Sequence, residues 1–128
     1  MARLIVIGGS AAGMSAASKA KRVNKSLEVV VFERSRYVSY APCGVPYYIE
    51  GLVKNLSSLV YYTAEYFRSK RNIDVRVRHE VQDVDPAAKK VTVKDLDKEK
   101  IFEMEYDYLV LATGAKPYIP EKLNPNIK

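Results

Sequence analysis

Arg3-Leu4-Ile5-Val6-Ile7-Gly8-Gly9-Ser10-Ala11-Ala12-Gly13 decides the fold. The apolar run Arg3–Ile7 reads as a strand buried on both faces, the pattern of a parallel sheet. Gly8-Gly9 ends it. Ala11 to about Val23 is rich in Ala, Ser, Met and Lys and free of Pro, so it reads as a helix. Leu27–Glu33 is a second β-branched run. Strand, helix and strand within about 30 residues make a right-handed βαβ unit.

A glycine-rich turn between a strand and a helix is the context of a dinucleotide-binding fingerprint. Gly8 allows the tight turn, Ser10 and Ala12 are small enough for a pyrophosphate to approach, and Gly13 lets the helix lie close to the sheet. Gly9 and Ala11 complete the turn. The helix start offers free N–H groups and the positive end of its dipole. The strict pattern has Gly where Ser10 stands, so the turn alone is weak evidence. Glu33 strengthens it: it closes the second strand, 20 residues after Gly13, where a carboxylate bonds ribose hydroxyls. An acid there favours a ribose with a free 2′-hydroxyl, as in FAD or NAD. The alternative is an ordinary glycine turn with a surface Glu.

Working outward, residues 34–41 read as a polar loop. Pro42-Cys43-Gly44-Val45-Pro46 carries helix-start signals, with Gly51 as a stop. Thr63 is the expected N-cap of a helix to Arg71. Asn72–Val77 alternates like a strand. Val81–Val84, Lys89–Leu96 and Ile101–Glu105 read as a three-stranded antiparallel meander. Tyr106–Ala112 returns to a parallel-type run, ended by Thr113-Gly114. The fold class expected is therefore α/β: a Rossmann-like parallel sheet with helices and an inserted three-stranded β-meander.

The formal net charge is +6, and residues 1–50 hold seven Lys/Arg against three Asp/Glu. A solvated surface or a phosphate-rich ligand near the first helix both fit. Nucleic acid is not expected, because no RNP, zinc or helix-turn-helix signature accompanies the charge. No apolar run is long enough for a membrane span, and nothing resembles a signal peptide, so a cytoplasmic protein is the default. The single cysteine rules out an internal disulfide. The lone His79 has no second His or Cys nearby, so no metal is expected.

Ser39-Tyr40-Ala41-Pro42-Cys43-Gly44-Val45-Pro46-Tyr47 is the most informative stretch for chemistry. A helix start favours the thiolate form of a cysteine, and Gly44 keeps the sulfur uncrowded. The stretch resembles the Ser-x-x-x-Cys-Gly-x-Pro-Tyr motif of coenzyme A disulfide reductases. These belong to the single-cysteine branch of the flavin-dependent pyridine nucleotide-disulfide oxidoreductases, which includes NADH oxidases. Gly8–Ala17 resembles that branch's phosphate turn, His79-Glu80-Val81 its adenine-side segment, and Tyr106–Ala115 its second flavin-contacting motif.

The resemblance implies FAD as cofactor and NADH or NADPH as electron donor. It implies Cys43 as the redox-active residue and a small-molecule disulfide, coenzyme A disulfide or polysulfide among them, as acceptor. Gly8 to Gly13, Glu33, Arg34, Pro42, Val81, Ala112, Thr113 and Gly114 are the cofactor-binding residues it implies. Ser15, Lys19, Arg22 and Ser39 are those for substrate. It further implies that residues 1–115 are the amino-terminal part of an FAD-binding domain. Residues 116–128 then lead toward an absent nicotinamide-binding domain, the fragment alone is inactive, and the full-length protein is a homodimer. Three other readings stay open: an NADH oxidase or peroxidase working through a cysteine sulfenic acid, a non-catalytic nucleotide-binding module with an inert Cys43, and a simple NAD-binding dehydrogenase domain.

Overall fold

The computed structural model describes residues 1–120. Arg3–Ile7 forms β1, Ala11–Val23 α1 and Glu28–Glu33 β2. A 3-10 turn at Pro42–Gly44 leads into α2 (Val45–Glu50), and a second at Leu56–Leu59 precedes α3 (Ala64–Arg71). The strands β3 (Asp74–Val77), β4 (His79–Asp85), β5 (Lys90–Asp95), β6 (Lys100–Glu105) and β7 (Tyr108–Leu111) follow. They make two sheets. The first has the order β3-β2-β1-β7 and is parallel throughout; the second, β4-β5-β6, is an antiparallel meander.

Alternation along the parallel strands builds two cores, because successive side chains point to opposite faces. Leu4, Val6, Val29, Val31 and Val75 pack with Met14 and Ala17 of α1 and Phe67 of α3. Ile5, Ile7, Val30 and Phe32 pack on the other face, against Val91 and Val93 of β5. The meander thus covers the face that the helices leave bare. A fully buried Val or Ile contributes about 2 kcal/mol, whereas an exposed ion pair such as Arg68–Glu65 contributes less than about 1 kcal/mol. The two cores, not the surface charges, hold the fold.

Element boundaries differ from the sequence expectation where side chains are recruited by neighbours. Thr63 caps α3, its Oγ1 accepting from the Tyr66 N–H at 3.1 Å. Asn72 then takes a left-handed φ of 52° as the C-cap, so β3 starts only at Asp74. Strand β4 starts at His79 rather than Val81, because His79 pairs with Asp95 across the meander. The register shifts between Val81 and Asp83. That bulge lets Val81 and Val84 face the same core.

Both meander turns use one device. The Asp85 carboxylate accepts from the Ala87 and Ala88 N–H groups, and that of Asp95 accepts from Asp97 and Lys98. Each turn then needs a left-handed residue, supplied by Lys89 and Glu99, both at φ 52°. A side chain in that region costs about 1 kcal/mol. Lys89→Gly is therefore expected to stabilise the chain by about 0.5 kcal/mol, once the greater freedom of unfolded Gly is subtracted. Urea unfolding checks this, and a lower midpoint in the variant would contradict it.

Candidate active site

Gly8 has a φ of 106°, a conformation that glycine adopts without strain. A Cβ on it would lie 2.1 Å from the Ala112 carbonyl oxygen, and one on Gly13 would lie 1.8 Å from the Gly8 carbonyl oxygen. The turn is drawn tight against the end of β7, and α1 is drawn tight against the turn. The Ser10 side chain makes no capping bond, and the first turn of α1 has no acid. By contrast α3 is capped by Thr63 and carries Glu65. The start of α1 is therefore better suited than that of α3 to an external anion.

Glu33 ties this turn to the end of β2. Its Oε2 accepts from the Gly9 N–H and its Oε1 from the Ser35 N–H, both at 2.8 Å. Glu33→Ala removes two hydrogen bonds to a charged acceptor and is expected to cost about 2 kcal/mol. Glu33→Gln keeps one oxygen acceptor and is expected to cost about half as much. Thermal unfolding of both variants checks this ordering.

A cavity of 650 Å³ opens at this end of the sheet, beyond the carboxyl ends of β1, β2 and β7, where open α/β sheets take ligands. Gly8, Ser10, Glu33, Arg34, Pro42, Val81, Ala112, Thr113 and Gly114 line it, all of them expected from the sequence. Gly9, Ala11, Ala12 and Gly13 do not line it; Gly9 and Gly13 are buried behind the turn. His79, Glu80 and Ala115 also line it, within the two segments that the resemblance places beside the cofactor, and Ile7, Phe32, Ser35 and Lys116 line it without having been expected. Phe32 is 1% exposed, and in the sequence it reads only as a core residue of a strand. Residues 112–120 have no regular secondary structure, and residues 121–128 of the expected linker lie outside the described residues.

Cys43 is exposed and sits in the 3-10 turn just ahead of α2 rather than in the helix itself. Backbone bonds hold this turn. The Ser39 N–H donates to the Gly9 carbonyl at 2.9 Å, Ala41 to Leu59 at 2.9 Å, and Tyr61 to Ser39 at 3.2 Å. The loop before it is not uniformly polar: Val38 is 1% exposed, and a Cβ on Gly9 would lie 2.6 Å from its Cγ1. The phosphate turn and the cysteine turn are thus packed and bonded together. A Cβ on Gly44 would meet the Leu59 Cδ2 at 2.4 Å, so glycine beside Cys43 lets the turn lie flat on Leu59. Pro42 lines the cavity, whereas Cys43, the next residue, does not.

A second depression, of 400 Å³, lies at the carboxyl ends of α1 and α3. Ser18, Lys21, Arg22, Lys25, Lys70, Arg71 and Asn72 line it. Of the four residues expected to hold substrate, Arg22 is here. Ser15, Lys19 and Ser39 line neither cavity, and Ser39 has a left-handed φ of 53°. No cluster of metal-ligating side chains occurs among the described residues.

The family model for the pyridine nucleotide-disulphide oxidoreductases matches residues 2–127. The chain belongs to this family. The pyridine nucleotide-disulphide oxidoreductases are enzymes that use FAD and NAD(P)H, and the two-sheet architecture described above is a Rossmann-like form shared with them. The chain is 44% identical over 92% of its length to an NADH oxidase of Methanocaldococcus jannaschii, covering 26% of that protein. It is 45% identical over 98% of its length to an NAD(P)H coenzyme A polysulfide/persulfide reductase of Pyrococcus horikoshii, covering 27%. The crystal structure of reduced CoADR-RHD from Bacillus anthracis superimposes with a TM-score of 0.90 at 36% identity, over 92% of this chain and 21% of that one. The chain thus spans about a quarter of the length of the relatives it matches. No helix among the described residues is long and apolar enough to cross a membrane.

Proposed function

We propose that this chain binds FAD in the cavity at the end of the parallel sheet and serves an NAD(P)H-dependent reductase of coenzyme A disulfide or polysulfide-type compounds through Cys43. The observation that carries the reading is the joining of the two turns. Ser39 bonds Gly9, and Pro42 lines the cavity while its neighbour Cys43 is exposed.

The residues present fit the cofactor. The close approaches at Gly8 and Gly13 make a backbone cradle for a pyrophosphate, the start of α1 faces it, and Glu33 stands where ribose hydroxyls would be bonded. When bound, FAD supplies two-electron transfer between the nicotinamide hydride and sulfur. Phe32 and Val81 exclude water from one side of the cavity, while Arg34 and Lys116 add positive charge at its rim.

At Cys43 the thiolate attacks one sulfur of the acceptor. A new S–S bond forms, the original S–S bond breaks, and the other half leaves as a thiolate. Two electrons and one proton then restore the Cys43 thiolate and release the second half as a thiol. The basic depression around Arg22 supports an acceptor that carries phosphates, since a guanidinium fork suits them. Ser15, Lys19 and Ser39 complete the substrate assignment, and the same reading makes the whole protein a homodimer acting in the cytoplasm.

The test uses the lack of a second cysteine. Coenzyme A disulfide added to the reduced chain is expected to leave Cys43 as a mixed disulfide, seen as a mass increase of one coenzyme A. The reaction is expected to outpace that with oxidised glutathione by about tenfold. Equal rates would sink the substrate assignment. A visible spectrum after incubation with FAD and desalting reports on the cofactor.

A second reading is favoured by the 44% identity to the M. jannaschii NADH oxidase. In it, Cys43 reduces a peroxide to water and becomes a sulfenic acid. Dimedone labelling of Cys43 after peroxide, absent after disulfide, separates the two.

A further inference from the structure

Where the parallel sheet meets the meander, one imidazole faces acceptors on both sides. The Nδ1 atom of His79 lies 2.8 Å from the Val77 carbonyl oxygen, which can only accept, so Nδ1 carries a proton. Its Nε2 lies 3.7 Å from Oδ2 of Asp95, another acceptor. A neutral ring therefore turns a lone pair toward a carboxylate, and a protonated ring turns an N–H⁺ toward it. Both side chains are largely buried, at 19% and 12% exposure. The Asp95 carboxylate stays ionised: the backbone hydrogen bond from Lys98, followed by that from Asp97, holds its carboxyl below the usual range against the opposing effect of desolvation.

The ring touches both sheets. It stacks on Phe32 of β2, centroids 6.1 Å apart and planes 25° apart, and meets Phe102 of β6 edge-on at 6.1 Å. Phe32, His79, Glu80 and Val81 form one wall of the nucleotide cavity. The residue before His79 is Arg78, at a left-handed φ of 58°. Its N–H donates to the Ser35 carbonyl and its carbonyl accepts from Leu96, so the crossover is pinned to both neighbours.

We propose that His79 and Asp95 form a pH-sensitive clasp that positions this wall of the cavity. Protonation of the ring adds an ion pair between two side chains that the ladder already sets opposite each other, and deprotonation removes it. The other charged groups around the ring are Lys98 behind Asp95, Arg76 of β3 at 5.7 Å from the Phe32 centroid, the Arg78–Asp97 ion pair, and Glu33, Arg34, Glu80 and Lys116 in the cavity. None of these residue types ordinarily titrates between about pH 5 and 8, where histidine does. The inference rests on the flavin reading only for the identity of the ligand.

The chain contains one histidine, so its ring nitrogens give unambiguous NMR signals. In the ligand-free chain, the amides of Phe32 and Leu96 are expected to shift with the same midpoint as the ring nitrogens when pH is varied. In Asp95→Asn, whose amide oxygen still accepts from Asp97 and Lys98, those shifts are expected to shrink at least about twofold. In His79→Gln they are expected to vanish. Amide titration that persists in His79→Gln, is unchanged in Asp95→Asn, or is absent from the parent chain overturns the clasp. Flavin retention by the same samples is a separate readout: its failure counts against the flavin reading, while the amide titration still decides the clasp.

Discussion

Gly13→Ala is expected to destabilise the chain by about 3 kcal/mol or more. The added Cβ would lie 1.8 Å from the Gly8 carbonyl oxygen, 2.9 Å from its carbon and 3.3 Å from Val6 Cγ1. Backbone oxygen cannot rotate away as a side chain can. Either α1 lifts from β1, opening the core around Met14 and Ala17, or the Gly8 turn shifts toward Ala112. Both routes also deform the cradle at the start of α1, so nucleotide affinity falls together with stability. Gly51 provides the control. It has a φ of 90°, but a Cβ added there would meet nothing within 4 Å, so Gly51→Ala carries backbone strain alone, about 1 kcal/mol. Urea unfolding of the two variants compares them directly. Equal losses would mean that the contact with the Gly8 carbonyl is not what limits position 13.

Cys43→Ser is expected to abolish disulfide reduction, by at least about a thousandfold, because Cys43 is the one thiol of this chain and the proposed mixed disulfide forms on it. The same change is expected to leave stability within about 0.5 kcal/mol, since Cys43 is exposed. A serine hydroxyl is a far weaker nucleophile than a thiolate and forms no disulfide. The informative result is the separation of the two effects: turnover with coenzyme A disulfide lost in the enzyme that contains this chain, and melting temperature retained. Residual turnover near the parent level would remove Cys43 from the mechanism. A collapse of stability would instead make it a packing residue, against its exposure.

Much of the fold was legible because its signals are local. The runs at Arg3–Ile7 and Leu27–Glu33 are apolar on both faces, which water-facing strands do not tolerate. Thr63 announces α3 through its own side-chain oxygen. The meander showed itself by the alternation Val91, Thr92, Val93, Lys94. Boundaries were less legible where a distant partner decides them. The sequence around His79 carries no strand signal of its own, yet pairing with Asp95 makes it the first residue of β4. Val38 sits in a polar stretch, and it is buried because the fold brings it into the helix-side core and against Gly9.

The site divides in the same way. The glycine turn, Glu33 and the cysteine segment are short motifs whose spacing follows from the turn they must make, so the sequence alone determined them. It also determined that one thiol and one imidazole are all this chain has. Only the tertiary structure decided what stands opposite them. Phe32, Ser35, His79 and Lys116 are scattered along the chain, and the sheet brings them to one cavity. Arg22 and Arg71 meet because two helices end side by side, whereas Lys19, three residues before Arg22, lies outside that depression. The physical reason is one of range: turns and caps are set by bonds a few residues long, while a cavity is the space left between elements whose packing the whole chain determines.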